Sequence, residues 1–485
     1  MRKQKIKIGW ASRDVTPDGK VSLHGQFHVR ISDTVNDPLT TTALALESED
    51  GSAQAIIVSL DSVGVADCII AGCRKKLTDM LPDFHPDNLF ISATHTHTAP
   101  VSYKLLGATP PMGNDILTEE AYAEFLIEKI CEAAGEAWNS RNLGALSWGK
   151  GTAVVGHNRR ASYFDGSTVM YGKTDNPEFS HIEGYEDHGV DMLFTYDAEH
   201  NLTGMLLNVP CPSQCSESAY FVSADYWHET REKIRKHHGE KFFILPQCGA
   251  AGDISPHPIY EKKTAERMFK LKGYSDEPDM AMRQDIADKL SAAVNEVLPL
   301  ASKDIRDELE FGHSIINHNL TRRIADKIDV ETAKQEVKKW TERLKQLKDM
   351  DPLSVEYSNA HRHIYFNNSV LELYDAQQRG EMLELPVELH CLRIGDIAMC
   401  TNRFELYLDF GVRIKSRSKA LQTFVVQLAG QGSYLPTKRA MRGGSYGAFI
   451  ASTPIGHEGG QVIVNKSVAE INRIFEDGKL LLDMV

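Results

Sequence analysis

The chain has 485 residues, of which 42% are hydrophobic and 25% charged, a composition typical of a globular protein with a large core and not of a disordered one. It carries 54 Lys and Arg against 67 Asp and Glu, a formal net charge of −13. An acidic surface repels phosphate backbones and anionic lipid headgroups, which argues against nucleic acid as a partner.

The first clear elements are short apolar runs rich in β-branched residues at 53–63 and 88–98, which predict buried strands. Between them, 66–81 carries apolar residues at helical spacing, so the three segments predict a βαβ unit with parallel strands. Further patterns predict strands at 145–155, 192–209, 241–248, 385–401 and 421–429, and amphipathic helices at 117–138 and 280–298. The predicted fold class is α/β, with a mixed sheet core flanked by helices.

One later segment differs from this pattern. Residues 327–381 hold two charged helix patterns separated by the Pro-containing turn MDPLS, which predicts a helical hairpin on the surface. We interpret the hairpin as an insertion in a single domain that spans 1–485. His361 and His363 diverge on a helix, so we expect both to be surface residues.

The strongest local motif is ISATHTHTAP, where His95 and His97 stand two apart at the end of an apolar strand. Residues i and i+2 of a strand face the same side, so both imidazoles can approach one site. The carboxyl end of a strand in an α/β sheet is also where ligands bind. The motif favours metal binding or catalysis over the alternative of polar residues that merely close a strand.

A second motif, PQCGAAGDISPHP at 246–258, follows a predicted strand and presents Asp253 and Ser255 in a turn of small residues. Small residues let backbone amides approach a ligand, and a Ser hydroxyl can donate or accept a hydrogen bond there. A purely structural turn explains this composition equally well.

In this order and separation, the two motifs resemble those of the neutral, non-lysosomal ceramidases. THTHTAP is similar to that family's THTHSGP-like segment, and GDISPH to its GDVSPN-like segment. The resemblance extends over about 5–450 through RDVTP, VSLDS, HNRR, FELYLDFGVRIKSRS and GSYLPTKRAMRGGSYGAF. It implies the fold of that family's catalytic domain and hydrolysis of an amide or related acyl bond, here in a soluble small molecule.

Carried over residue by residue, the resemblance implies Zn²⁺ held by His95, Glu405 and Tyr434. The remaining candidates are pocket residues: His97 to relay a proton, Arg159 to hold a polar substrate group, Tyr446 to stabilise an oxyanion, with Ser255 and Asp253 beside them. Imidazole, carboxylate and phenolate suit zinc, whose open position activates water. Taken singly, each residue has a plainer reading as a helix-start carboxylate, rim aromatic or surface charge.

The chain departs from the family where a second metal-binding His is expected, because NVPCPSQC puts Cys211 at that position. A thiolate is a good zinc ligand, so we assign Cys211 to the metal site. Two alternatives stay open. Cys211 is a buried small residue between two prolines, or His228 of the following helix supplies the missing imidazole.

The setting of the chain is also an expectation at this stage. The amino terminus lacks the apolar stretch of a signal peptide, no apolar run approaches the length of a membrane span, and eight dispersed cysteines fit reduced thiols, so we expect a cytoplasmic protein. Two other functions compete with the hydrolase: a metal-dependent enzyme acting on a carbohydrate or other small polar molecule, and a non-catalytic protein that binds a metal or ligand. The oligomeric state is left open.

Overall fold

Strands and helices alternate along the computed structural model, which describes residues 2–103, 110 and 112–476. The strands are β1 (Gln4–Asp14), β2 (Val21–Ser22), β3 (Ile31–Ser32), β4 (Thr40–Ser48), β5 (Gln54–Leu60), β6 (Leu89–Ala93), β7 (Asn142–Thr152), β8 (His157–Asn158), β9 (Arg160–Tyr163), β10 (Thr168–Met170), β11 (Phe179–Ile182), β12 (Gly189–Tyr196), β13 (Leu202–Val209), β14 (Phe243–Cys248), β15 (Ile254–Ser255), β16 (Glu308–Leu309), β17 (Phe311–Thr321), β18 (Glu384–Ile394), β19 (Ile397–Thr401), β20 (Glu405–Leu406), β21 (Gln422–Val426) and β22 (Tyr434–Leu435). The helices are α1 (Asp67–Met80), α2 (Glu119–Asn139), α3 (Tyr226–His238), α4 (Lys262–Lys272), α5 (Pro278–Ala301), α6 (Lys327–Gln346), α7 (Val355–Gln378), α8 (Leu408–Arg417), α9 (Lys438–Gly443) and α10 (His457–Phe475), with short 3₁₀ turns at Pro86–Asn88 and Ile450–Ser452.

The larger sheet has the strand order β14-β13-β12-β7-β1-β4-β5-β6, with β16 beside β1. The β5–β6 and β13–β14 pairs are parallel, and the other neighbouring pairs are antiparallel. The sheet is therefore mixed, as predicted. The predicted βαβ unit is confirmed as β5, α1 and β6.

A second sheet, in the order β17-β18-β19-β21, packs face to face against the first. Successive side chains of a strand point to opposite faces, so alternate residues of both sheets meet in one dry layer. This layer contains Ile6, Ile8, Trp10, Leu44, Leu46, Ile57, Leu206, Leu245, Leu392, Ile394, Met399, Phe424 and Val426.

Helices cover the outer faces of both sheets. On the larger sheet, α1 and α2 bury one apolar cluster and α3 and α5 another, while α8 and α10 pack on the smaller sheet. The result is four layers, helix, sheet, sheet and helix. The predicted α/β class with a mixed sheet flanked by helices is confirmed.

The two helices expected within 327–381 are present as α6 and α7, between the antiparallel neighbours β17 and β18. Their position corrects one expectation, because α7 packs against the body of the protein and not only against solvent. His363 is not a surface residue: its ring is stacked 4.2 Å from Trp340 on one side and 5.0 Å from Phe27 on the other. His361 is half-buried.

All eight cysteines are free thiols, seven of them buried and Cys68 exposed. This agrees with the expectation of reduced cysteines. Within the described ranges, none of the helices combines the length and the apolar character that crossing a membrane requires.

Candidate functional site

Two very short strand pairs bring distant parts of the chain together at the site. In the parallel pair of β20 and β22, Glu405 lies directly opposite Tyr434. In the antiparallel pair of β8 and β15, Ser255 lies opposite His157, and Arg159 follows at the end of β8. These pairings explain how residues far apart in sequence meet, which no local pattern reveals.

His95 lies just beyond the carboxyl end of β6 and is held on both its backbone and its side chain. Its backbone has φ of 68°, in the left-handed region that a residue other than glycine rarely adopts, and its N–H donates to the Ser62 carbonyl at 2.9 Å. Its Nδ1 lies 2.6 Å from the Val63 carbonyl oxygen. Since that oxygen can only accept, Nδ1 carries a hydrogen, and Nε2 on the opposite side of the ring is left for other partners.

His95 Nε2 faces a carboxylate and a second imidazole. His95 Nε2 lies 3.4 Å from Glu405 Oε2, and the Tyr434 hydroxyl is hydrogen-bonded to the same carboxylate. Burial, with Glu405 next in effect, raises the pKa of Tyr434 well above its usual value. A metal-binding His characteristically donates its other N–H to a carbonyl, which is the arrangement of His95 and Val63.

The donor set can be tested for a metal within the described part of the chain. There, no three His, Cys, Asp or Glu side chains form a group that could hold a metal by themselves. A metal at His95 and Glu405 would need a further donor, and Tyr434 lies opposite Glu405 in the pair of β20 and β22. One nitrogen and two oxygens, with a position left for water, fit the donor pattern of a catalytic zinc site.

His97 extends the cluster on the far side of His95. The two Nε2 atoms lie 3.3 Å apart, and the Gln214 amide lies 3.0 Å from His97 Nε2. The Nδ1 atom of His97 is 3.6 Å from the Glu217 carboxylate. Burial, then neighbouring His95 and nearby arginines, lowers the pKa of His97 well below its usual value, so the neutral ring is favoured.

Arg159 is a buried cation beside these acceptors and not a surface charge. Its guanidinium donates to the Tyr171 hydroxyl at 3.1 Å, the Gly252 carbonyl at 3.0 Å and the Tyr434 hydroxyl at 3.4 Å. It lies 4.0 Å from Glu405 Oε2. Its charge balances that carboxylate and orients the phenol.

Tyr446 and Ser255 lie on two sides of this centre. The Tyr446 ring centroid is 5.3 Å from that of Tyr434, at 78°, and the two hydroxyls are hydrogen-bonded. The Ser255 hydroxyl accepts from Tyr171 at 2.9 Å, so Tyr171 links it to Arg159. Ser255 is thus one side chain removed from the guanidinium.

Asp253 connects backbone segments around the site. Its carboxylate accepts from the Leu408 N–H at 2.8 Å and from the Asn158 amide at 3.0 Å, which ties the segment after Glu405 to the strand before Arg159. Burial raises its pKa to about 6. These contacts describe a residue that positions the site, while its predicted catalytic role stays a prediction.

Cys211 lies in the apolar layer under α3 and α5. Its thiol donates to the Pro212 carbonyl at 3.5 Å, and burial raises its pKa well above the usual value. Within the described residues, neither Cys211 nor His228 has a side-chain contact with His95, Glu405 or Tyr434. These surroundings favour the packing interpretation of Cys211, and its role as a ligand stays a prediction.

Sequence reasoning missed three polar residues of the site, Gln214, Glu217 and Tyr171. Gln214 and Glu217 lie shortly after Cys211 in CPSQCSES, in the segment where the chain departs from the family pattern. Glu217 and Tyr171 also line a cavity of about 300 Å³ next to the site.

Comparisons with known proteins agree with this geometry at the level of fold. No family model matches the chain, and no curated protein matches it. Solved structures do match, among them the neutral ceramidase from Pseudomonas aeruginosa, with a TM-score of 0.68 and 16% identity over 97% of this chain and 75% of that one. A ceramidase complexed with C2 matches with a TM-score of 0.66 and 16% identity over 97% and 76%. The chain therefore has a ceramidase-like fold.

Proposed function

We propose that the protein is a metal-dependent hydrolase that cleaves an amide or a related acyl bond, as its ceramidase-like fold suggests. The observation that carries the proposal is the His95 imidazole, held by the Val63 carbonyl at Nδ1 and turned towards Glu405 at 3.4 Å through Nε2. Tyr434, paired in register with Glu405, completes a donor set suited to zinc.

In this proposal His95, Glu405 and Tyr434 hold Zn²⁺, which supplies a Lewis acid that polarises a carbonyl and activates water. The neutral His97 ring accepts a proton from the attacking water and delivers it to the leaving nitrogen. Arg159 keeps Tyr434 and Glu405 oriented. The Tyr446 hydroxyl donates to the oxygen on which charge develops.

The proposal is tested by zinc titration and by assays on N-acyl compounds with the purified protein. We expect one zinc per chain, bound with an affinity reduced more than about 100-fold in His95→Ala and in Glu405→Ala, because each variant loses a direct ligand. Both variants should also lose hydrolysis. His181→Ala, at an exposed position of β11, is the control and should match the parent.

Full zinc occupancy in either ligand variant would overturn the ligand set. Stoichiometric zinc without hydrolysis of any N-acyl compound would instead favour the alternative of a binding protein or an enzyme of another reaction class.

A further inference from the structure

The second helix of the hairpin, α7, presents one face to the candidate site. Ser358 accepts from the Val29 N–H at 3.0 Å, and the Phe366 ring lies 6.3 Å from that of Tyr446. Ser358, Arg362 and Phe366 are spaced four residues apart and so share one face of the helix. The contacts at both ends of this row place Arg362 on the face turned to the site.

The surroundings of Arg362 agree with that placement. Its charge interacts with Tyr103 and Tyr446, and it also acts on His24. Its Nε atom is buried and makes no hydrogen bond. Among the residues that the structure describes, none accepts a hydrogen bond from Arg362 or forms an ion pair with it.

The other two arginines nearby are used differently. Arg30 donates to three backbone carbonyls, those of Ala219, His24 and His97. Arg159 donates to tyrosine hydroxyls and a carbonyl and lies beside Glu405. A guanidinium whose Nε is buried without a hydrogen bond is costly, so Arg362 is suited to a partner that arrives from outside.

Arg362 is also close to the proposed metal ligands. Tyr446 interacts with Arg362 and stacks edge-on against Tyr434, and His24 interacts with both Arg362 and His95. Tyr446 and His24 are thus shared neighbours of the guanidinium and of the proposed ligands Tyr434 and His95.

We propose that Arg362 binds the carboxylate of the substrate and that the substrate is an N-acylated amino acid. The planar guanidinium offers two parallel donors that match a carboxylate, and the α-carboxylate of such a compound lies next to the scissile amide. Phe27 and Phe366, whose rings lie 5.4 Å apart, give an apolar wall for its side chain. The inference rests on the proposed function and names its substrate class.

The first test needs no mutation. N-acetylphenylalanine and its carboxamide differ only in the anionic group, and we expect the parent to hydrolyse the acid with a kcat/KM about tenfold or more above that of the amide. In Arg362→Met that ratio should fall to near one, mainly through KM. Arg362→Lys keeps the positive charge but loses the two parallel donors of the guanidinium, so it should retain part of the preference for the acid. Arg343→Met, at an exposed position of α6, is the matched control.

Calorimetric binding of the same two compounds separates this inference from the proposed function. Tighter binding of the acid that depends on Arg362, without turnover, would support the carboxylate site and overturn the hydrolase. Turnover with equal kcat/KM for acid and amide would overturn the carboxylate site and leave the hydrolase standing. Binding of inorganic phosphate in preference to the acid would also overturn it.

Discussion

His95 shows at the scale of a single residue why the site suits a metal. Its backbone is left-handed, and its N–H donates to the Ser62 carbonyl. Its Nδ1 is hydrogen-bonded to the Val63 carbonyl, so the ring is fixed by contacts that do not involve Nε2. A ligand held in this way loses little further freedom when a metal binds. The strained backbone is retained because the surrounding hydrogen bonds over-determine it.

Cys211→Ala separates the two interpretations of Cys211. Since the thiol packs in the layer under α3 and α5, we expect the variant to keep its zinc affinity and to lose about 1 kcal/mol in the free energy of unfolding. Zinc titration and urea denaturation measure the two quantities. A large fall in zinc affinity with unchanged stability would instead make Cys211 a ligand.

The sequence was most informative about residues that belong to a recognisable local motif. His95 and His97 could be predicted from their spacing at a strand end, but β6 ends at Ala93, so strand alternation is not what places their Nε2 atoms 3.3 Å apart. Glu405 and Tyr434 came only from the family resemblance, since their two-residue strands carry no periodicity. Arg362 could not be found at all, because a charged residue in a charged helix has the same pattern whether it faces water or the site.

At the scale of elements, the turn after β14 is shaped by its small residues. A Cβ at Gly252 would lie 2.4 Å from the Glu405 carbonyl oxygen. The Gly252 N–H donates to the Leu406 carbonyl at 2.8 Å. The turn and β20 therefore lie closer together than a side chain allows. The sequence motif predicted close backbone approach, but to a ligand and not to this strand.

Gly252→Ala should accordingly move Glu405. We expect a loss of about 1–3 kcal/mol in the free energy of unfolding and a lower zinc affinity, because the added methyl forces β20 away. Gly64→Ala is the control, since a Cβ there meets nothing within 4 Å. Unchanged stability and zinc affinity in Gly252→Ala would show that β20 tolerates the shift.

An ion pair between α1 and β18 gives a stability effect that depends on pH. Burial raises the pKa of Glu388, but hydrogen bonds from His390 and Arg74 outweigh it and hold the pKa at about 2. Because the unfolded value is about 4.3, the ionised carboxylate stabilises the fold above that pH, and the contribution is lost as the pH falls towards 2.

Glu388→Gln should therefore be less stable than the parent near neutral pH, with the difference shrinking below about pH 4.3. Urea unfolding of both proteins on the two sides of that pH measures it. Glu372→Gln, at an exposed position of α7, is the control. The same difference at both pH values would mean that Glu388 acts through packing and not through its charge.

At the scale of the whole molecule, the four layers leave the site at one edge, where α7 closes it. Packed sheets and helices could be predicted from strand and helix patterns because burial imposes those periods. The placement of the hairpin could not, since stacking of His363 between Phe27 and Trp340 joins three distant segments. An insertion that reads as surface in the sequence therefore contacts the candidate site, where Phe366 packs against Tyr446.

The apolar wall formed by Phe27 and Phe366 predicts a preference for compact substrates. Phe366 packs against both Phe27 and Tyr446, so a long acyl chain meets aromatic rings on the α7 side of the site. Across N-acyl compounds from acetyl to palmitoyl, including long-chain ceramide, we expect kcat/KM to be highest for short chains. Phe366→Ala should shift the optimum towards longer chains by removing ring volume, while Glu372→Ala, on the exposed side of α7, should leave the profile unchanged. Faster turnover of long-chain ceramide than of acetyl compounds by the parent would show that α7 does not limit the acyl group.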